Sequence, residues 1–287
     1  MPVRLDLSVR DSGYDAPVDL DGLKVVVRGA GDIGSAVAHQ LFREGCAVVI
    51  EEDPTPATTR RGMAFTDAVF DGCTSLDGID AMRAEDTGDI RRLLAAREAI
   101  PVYVGALEPL LKEIAPAVLV DARMRKHEAP RGQCGLAGLT IGLGPGLVVG
   151  HHADRVIETS WDGLGRVITA GASLPLAGEP REIDGHARDR YVYAPCDGVF
   201  RTKARIGDDV RKGQGIAEIG AMVLTAPLDG ALRGLTRDGV PVTTRTKVIE
   251  VDPRGAGAEV RGIGERPRRI ADGVLAAIRD WDRRPPR

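Results

Sequence analysis

The chain has 287 residues, enough for two domains, with a net charge of −3 and 3% aromatic side chains. So little positive field and so few stacking surfaces argue against nucleic acid or an anionic membrane as partner. The four cysteines, Cys46, Cys73, Cys134 and Cys196, are scattered without a C-x-x-C, no apolar run reaches membrane-spanning length and no signal peptide opens the chain, so a cytoplasmic protein without a metal site is expected.

Residues 1–21 read as an N-terminal extension, in which Val3, Leu5, Leu7 and Val9 alternate with polar residues as an edge strand would. The stretch that organises the chain follows. Val25 to Val27 reads as a buried strand and runs into Gly29-Ala30-Gly31-Asp32-Ile33-Gly34, a G-x-G-x-x-G. Ile33, Val37 and Leu41 then recur every four residues, so a helix opens inside the glycine loop. In such a unit the first glycine permits the tight turn, the second admits a pyrophosphate, and the third lets helix and sheet approach. A second strand, Ala47 to Ile50, ends in Glu51, placed to accept from a ribose hydroxyl. Gly29, Gly31, Asp32, Ile33, Gly34 and Glu51 are therefore candidate dinucleotide-binding residues, with NAD preferred over NADP. Arg60 and Arg61, closing a loop broken by two prolines, are candidates to fold over the adenosine.

Helices over Asp89–Glu98 and Leu107–Ile114 alternate with strands at Val102–Val104 and Ala117–Val120, the pattern of a parallel sheet covered by helices. A further strand, Leu139–Ile141, ends in Gly142-Leu143-Gly144-Pro145-Gly146. Asp121 to Lys126 likewise follows a strand, and ligands of open α/β sheets lie at strand C-terminal ends. Gly142, Gly144 and Gly146 are thus either a ligand cradle or a turn that needs positive φ. Glu158, in the apolar strand Val156–Trp161, is either a hydrogen-bonded structural carboxylate or an acid. Candidate catalytic residues are Glu158, Lys126 and Asp121. His151 and His152 are adjacent and point to opposite faces of extended chain, so they make poor partners for one ion.

Near the C-terminus one pattern occurs twice. Ala194-Pro195-Cys196-Asp197-Gly198 with Gly207, Val210, Ile216 and Glu218 matches Ala226-Pro227-Leu228-Asp229-Gly230 with Gly239, Val242, Val248 and Glu250. Two such halves predict a small all-β barrel-sandwich hybrid of the biotinyl/lipoyl type. The segment Ile219–Thr225 between the halves has no lysine, so neither biotin nor lipoate is expected. The fold class expected is α/β: a Rossmann-like parallel-sheet domain over 22–185, the barrel-sandwich module over 186–255, and a linker with a terminal helix over 256–287.

The segments Val27–Ile33, Arg60-Arg61 with Ala64-Phe65, Ile141–Gly146, Val156–Thr159, Ala194-Pro195 with Gly198, Val251–Arg254 and Gly273–Ile278 together resemble the selenium-dependent molybdenum-hydroxylase accessory proteins, themselves distant relatives of the xanthine dehydrogenase accessory factor. Where that family carries a lysine near its last linker, this chain has Gly264-Glu265-Arg266-Pro267. The resemblance implies a cytoplasmic maturation factor. It would bind a nucleotide or a molybdopterin-type cofactor and dock on an apo molybdenum hydroxylase, as a monomer or homo-oligomer. An NAD-dependent oxidoreductase and a non-catalytic nucleotide-binding scaffold stand as alternatives. No Tyr-x-x-x-Lys dyad is present: Leu107 stands where Tyr103 would need its lysine.

Overall fold

The computed structural model describes residues 19–124, 131–176 and 180–281. The expected edge strand at Val3–Val9 and the candidate Lys126 lie outside the described residues.

Strand β1 (Lys24–Arg28) turns at Gly29, φ +99°, into helix α1 (Asp32–Arg43). A Cβ built on Gly34 would lie 1.9 Å from the Gly29 carbonyl oxygen, so only glycine allows this turn to close. β2 (Ala47–Glu52) returns beside β1, and the short helix α2 (Ala68–Asp71) leads to a hairpin of β3 (Cys73–Leu76) and β4 (Ile79–Ala84). Asp86 accepts from the Asp89 N–H and starts α3 (Thr87–Ala96), which ends where Arg97 turns left-handed, two residues short of the expected Glu98. β5 (Ala99–Val104), α4 (Leu107–Ile114), β6 (Val118–Asp121), β7 (Leu139–Leu143), β8 (Arg155–Ile157) and β9 (Val167–Ile168) complete the body. The strand expected over Val156–Trp161 stops at Ile157.

The nine strands form one sheet in the order β3-β4-β5-β2-β1-β6-β7-β8-β9. Neighbours from β4 to β8 run parallel, while β3 and β9 are antiparallel to β4 and β8. The sheet is therefore mixed, not the parallel sheet that was expected. Two hairpins that the sequence reading missed, turning at Asp77-Gly78 and around Gly163–Gly165, add the reversed edges. The central strands VVV, VVI and VLV are buried on both faces, as a sheet covered on both sides requires. Helices α3 and α4 close one face, around Ile90, Leu93, Leu110 and Ile114.

The C-terminal region has β10 (Tyr191–Tyr193), β11 (Gly198–Thr202), β12 (Asp209–Val210), β13 (Gly215–Ile219), β14 (Met222–Thr225), β15 (Gly230–Leu235), β16 (Pro241–Val242) and β17 (Lys247–Asp252). They form two four-stranded antiparallel sheets, β10-β17-β15-β12 and β14-β13-β11-β16, around a separate core. The sequence repeat is realised by exchange between halves. Asp197 accepts from the Thr244 N–H of the second half, and Asp229 from the Lys212 N–H of the first, both at 2.7 Å. Each repeat thus caps backbone in the other, which explains why the Ala-Pro-x-Asp-Gly pattern occurs twice.

Helix α5 (Glu265–Arg279) leaves this module and packs on α1. Ile270, Val274 and Ile278, one face of the helix, are fully buried. Removing each from water contributes about 1.5–3 kcal/mol. This return brings the N-terminal end of α5, and Arg266 with it, to the end of the sheet that carries the glycine loop.

Candidate functional site

The glycine loop is held by its own neighbours. The Ala30 N–H donates to Glu52 at 2.6 Å, and the Ala30 carbonyl accepts from Ser35 Oγ and Thr66 Oγ1 at 2.9 and 2.6 Å. Burial pushes the Glu52 carboxyl up, against the lowering effect of the Ala30 and Asp53 N–H groups. Glu51, the candidate ribose acceptor, is instead ion-paired with Arg28 at 2.8 Å. A Cβ built on Gly31 meets nothing within 4 Å, so the loop opens onto space at this residue. Ile33 is buried against the sheet and takes no part in the opening.

Asp32 begins α1 at that opening, where the helix N-terminus favours negative charge. Arg60 reaches it from the loop after β2, with Nη1 3.1 Å from Asp32 Oδ2. The rest of the Arg60 fork, Nε and Nη2, grips Glu250 on β17, both bonds 2.9 Å. Glu250 is completely buried and also meets Arg190 at 3.2 Å and Lys247 at 3.3 Å. Burial alone would raise its carboxyl, but Arg60 and Lys247 hold it far below the usual glutamate range. The Asp32 carboxyl is likewise lowered against burial, by Arg60, Lys247 and Arg266. Arg61 turns away, bonded to Asp67 at 2.7 Å and to the Leu235 carbonyl at 2.9 Å.

Three cations here are poorly matched. Among the described residues, Arg266 donates only to the Thr159 carbonyl, at 3.2 and 2.9 Å. Arg233 stands 3.9 Å from Glu250 and 3.8 Å from Asp252, and its buried Nε has no hydrogen-bond partner among the described residues. Asp252 is already held by the Arg254 fork at 2.9 and 2.7 Å. Lys247 is about one-third exposed, shares Glu250 with the arginines, and lies 4.6 Å from the Tyr191 ring centroid. Burial, opposed only in part by nearby carboxylates, pushes Arg266, Arg233 and Lys247 below their ordinary values.

The other expected residues serve the scaffold. Asp121 accepts from Arg123 at 2.9 and 2.6 Å and from Gln133 Nε2; burial would raise its carboxyl, and Arg123 lowers it. Glu158 is fully buried and accepts backbone N–H bonds from Thr159, Ser160 and Leu174 at 2.8, 2.7 and 2.8 Å. Gly144 and Gly146, at φ +151° and +69°, are tied to Ser173 and Leu174. Gly142 faces Leu147, whose Cδ1 a Cβ would approach to 2.8 Å. These glycines shape a turn. Among the described residues no three side chains could jointly hold a metal ion, and no helix is long and apolar enough to cross a membrane.

Of the expected residues, the fold brings Gly31, Asp32 and Arg60 together at the start of α1. Lys247, Glu250, Arg233, Arg190 and Arg266 were missed. A signal existed in the repeat: the second copy has Lys247 and Asp252 where the first has Gly215 and Gly220. Moreover, Glu250 is buried while its counterpart Glu218 is exposed.

No family model matches the chain. It is similar to the uncharacterized protein YqeB of Escherichia coli, 38% identical over 257 residues, which are 88% of this chain and 47% of that protein. It is also similar to 6-methylpretetramide 4-monooxygenase of Streptomyces rimosus, 29% identical over 158 residues, 53% of this chain and 28% of that protein. The chain thus spans at most about half the length of these relatives. Two solved structures were also found. The succinylglutamate desuccinylase/aspartoacylase of Rhodobacter sphaeroides is 14% identical, covering 71% of this chain and 57% of that one, with a TM-score of 0.21. The ectoine utilization protein EutE (DoeB) of Ruegeria pomeroyi is 13% identical, covering 80% and 85%, with a TM-score of 0.24.

The structure corrects the sequence reading. A Rossmann-like parallel domain followed by a barrel-sandwich hybrid is replaced, among the described residues, by a nine-stranded mixed sheet and two four-stranded antiparallel sheets. With that fold corrected, the expected molybdenum-hydroxylase maturation factor, with its xanthine dehydrogenase and molybdenum-cofactor associations, is set aside, as are the NAD-dependent oxidoreductase and the nucleotide-binding scaffold. The engagement of Glu51 by Arg28 and of the Ala30 N–H by Glu52 gives a local physical reason. The neighbours' own activities are not carried over to this chain at such low similarity.

Proposed function

We propose that the charge cluster between the sheet and the β module binds a small anionic molecule. One observation carries this reading. Among the described residues, six cationic side chains, Arg60, Arg190, Arg233, Lys247, Arg254 and Arg266, share three carboxylates, Asp32, Glu250 and Asp252. The whole chain is net negative, so this concentration of positive charge is local. Partly desolvated cations left with carbonyls or distant carboxylates are unfavourable, and a bound anion relieves them. The opening beside Gly31 and the start of α1 gives that anion a place.

Calorimetric titration with pyrophosphate, inorganic phosphate and citrate tests the reading. Arg266→Ala and Lys247→Ala should each weaken the anion that binds best by tenfold or more. Arg91→Ala, on α3 and paired with Glu113, should leave it unchanged. Absence of saturable binding at millimolar anion, or equal affinity in all variants, would overturn it.

A further inference from the structure

We infer that Asp32 is an internal placeholder for the ligand, occupying with its own carboxylate the position that a phosphoryl group takes when it binds at the start of α1; this rests on the anion-binding reading above. The carboxylate sits on the first residue of α1 and accepts the Ile33 N–H at 3.1 Å. It also receives one arm of Arg60. Lys247 and Arg266 act on it as well, and hold its proton affinity down in spite of burial. One arm of Arg60 and a helix N-terminus thus meet at a single charge, and Arg233, 3.9 Å from the Glu250 that the rest of the Arg60 fork grips, has an Nε without a hydrogen-bond partner among the described residues. A fork shared between two carboxylates, one wholly buried and one at the opening, can release the outer one and keep its place.

The exchange selects by charge. A monocarboxylate entering in place of Asp32 replaces like with like and gains little. A phosphate monoester or pyrophosphate brings about −1.5 to −2 charge per terminal phosphoryl group at neutral pH and three acceptor oxygens, enough to engage Arg60, Lys247 and Arg266 together. The chemical class is therefore a phosphorylated small molecule.

The test compares wild type with Asp32→Asn, which keeps shape and removes the charge. Calorimetry uses pyrophosphate and propionate at fixed ionic strength. Pyrophosphate should bind wild type and propionate should not. In D32N pyrophosphate affinity should rise about tenfold, and propionate binding should become measurable. Asp67→Asn, the same charge change on the carboxylate paired with Arg61, should change neither. Should D32N not fold, Asp32→Ser is read in the same way. If D32N leaves pyrophosphate affinity unchanged or weaker, or if D67N reproduces the gain, the placeholder role is wrong and the anion site stands. If neither wild type nor D32N binds any anion, the anion site itself fails.

Discussion

Replacing Glu250 with glutamine removes the one fully buried carboxylate on which Arg60, Arg190 and Lys247 converge. Glutamine retains a single acceptor oxygen, so the two 2.9 Å bonds from Arg60 cannot both persist. Breaking a buried pair from one side typically costs about 3–5 kcal/mol, because the remaining charge stays desolvated. With a urea m-value of about 2–3 kcal/mol/M, the unfolding midpoint should fall by about 1–2.5 M. Circular dichroism in urea, with Arg91→Ala as the surface reference, measures this. The pH dependence supplies a second readout. Glu250 is held below its ordinary value of 4.5 in the folded chain, so its contribution is complete above that pH and is lost as the pH falls further. The wild-type midpoint should therefore decline on acidification below 4.5, and E250Q should decline less over the same window. A midpoint shift below about 0.3 M, or parallel acid limbs for both proteins, would refute the account of Glu250 as the keystone of the charge cluster.

Two further expectations concern the scaffold. Gly34→Ala should strongly lower the melting temperature, since its Cβ would sit 1.9 Å from the Gly29 carbonyl oxygen; Gly31→Ala, facing open space, should leave it nearly unchanged. Equal melting temperatures would mean the loop adjusts freely. Glu158→Gln should destabilise by about 1–3 kcal/mol in thermal or urea unfolding, because an amide cannot accept from all three backbone N–H groups that the carboxylate holds. Unchanged stability would return Glu158 to the list of candidate reactive groups.

What the sequence determined by itself lies in short-range patterns. Val25–Val27 with Gly29, Gly31 and Gly34 specified a strand, a turn and a helix, because the glycine requirement and the helical spacing are local properties of the backbone. The duplicated Ala-Pro-x-Asp-Gly motif announced two equivalent β halves, because each half has to form the same cap. It could not announce which half would face the sheet. Only the tertiary structure buried Glu250 and left Glu218 exposed, and only the return of α5 onto α1 brought Arg266 to Asp32. Charge pairing across such chain distances leaves no periodicity, so Arg60 read as an adenosine clamp until Glu250 was seen beneath it. The pairing of Glu51, expected to accept from a ribose hydroxyl, was hidden for a similar reason: strand register set Arg28 directly beside it. The hairpins at both sheet edges were settled the same way, since their short, half-exposed strands become strands only where a buried neighbour supplies the hydrogen bonds.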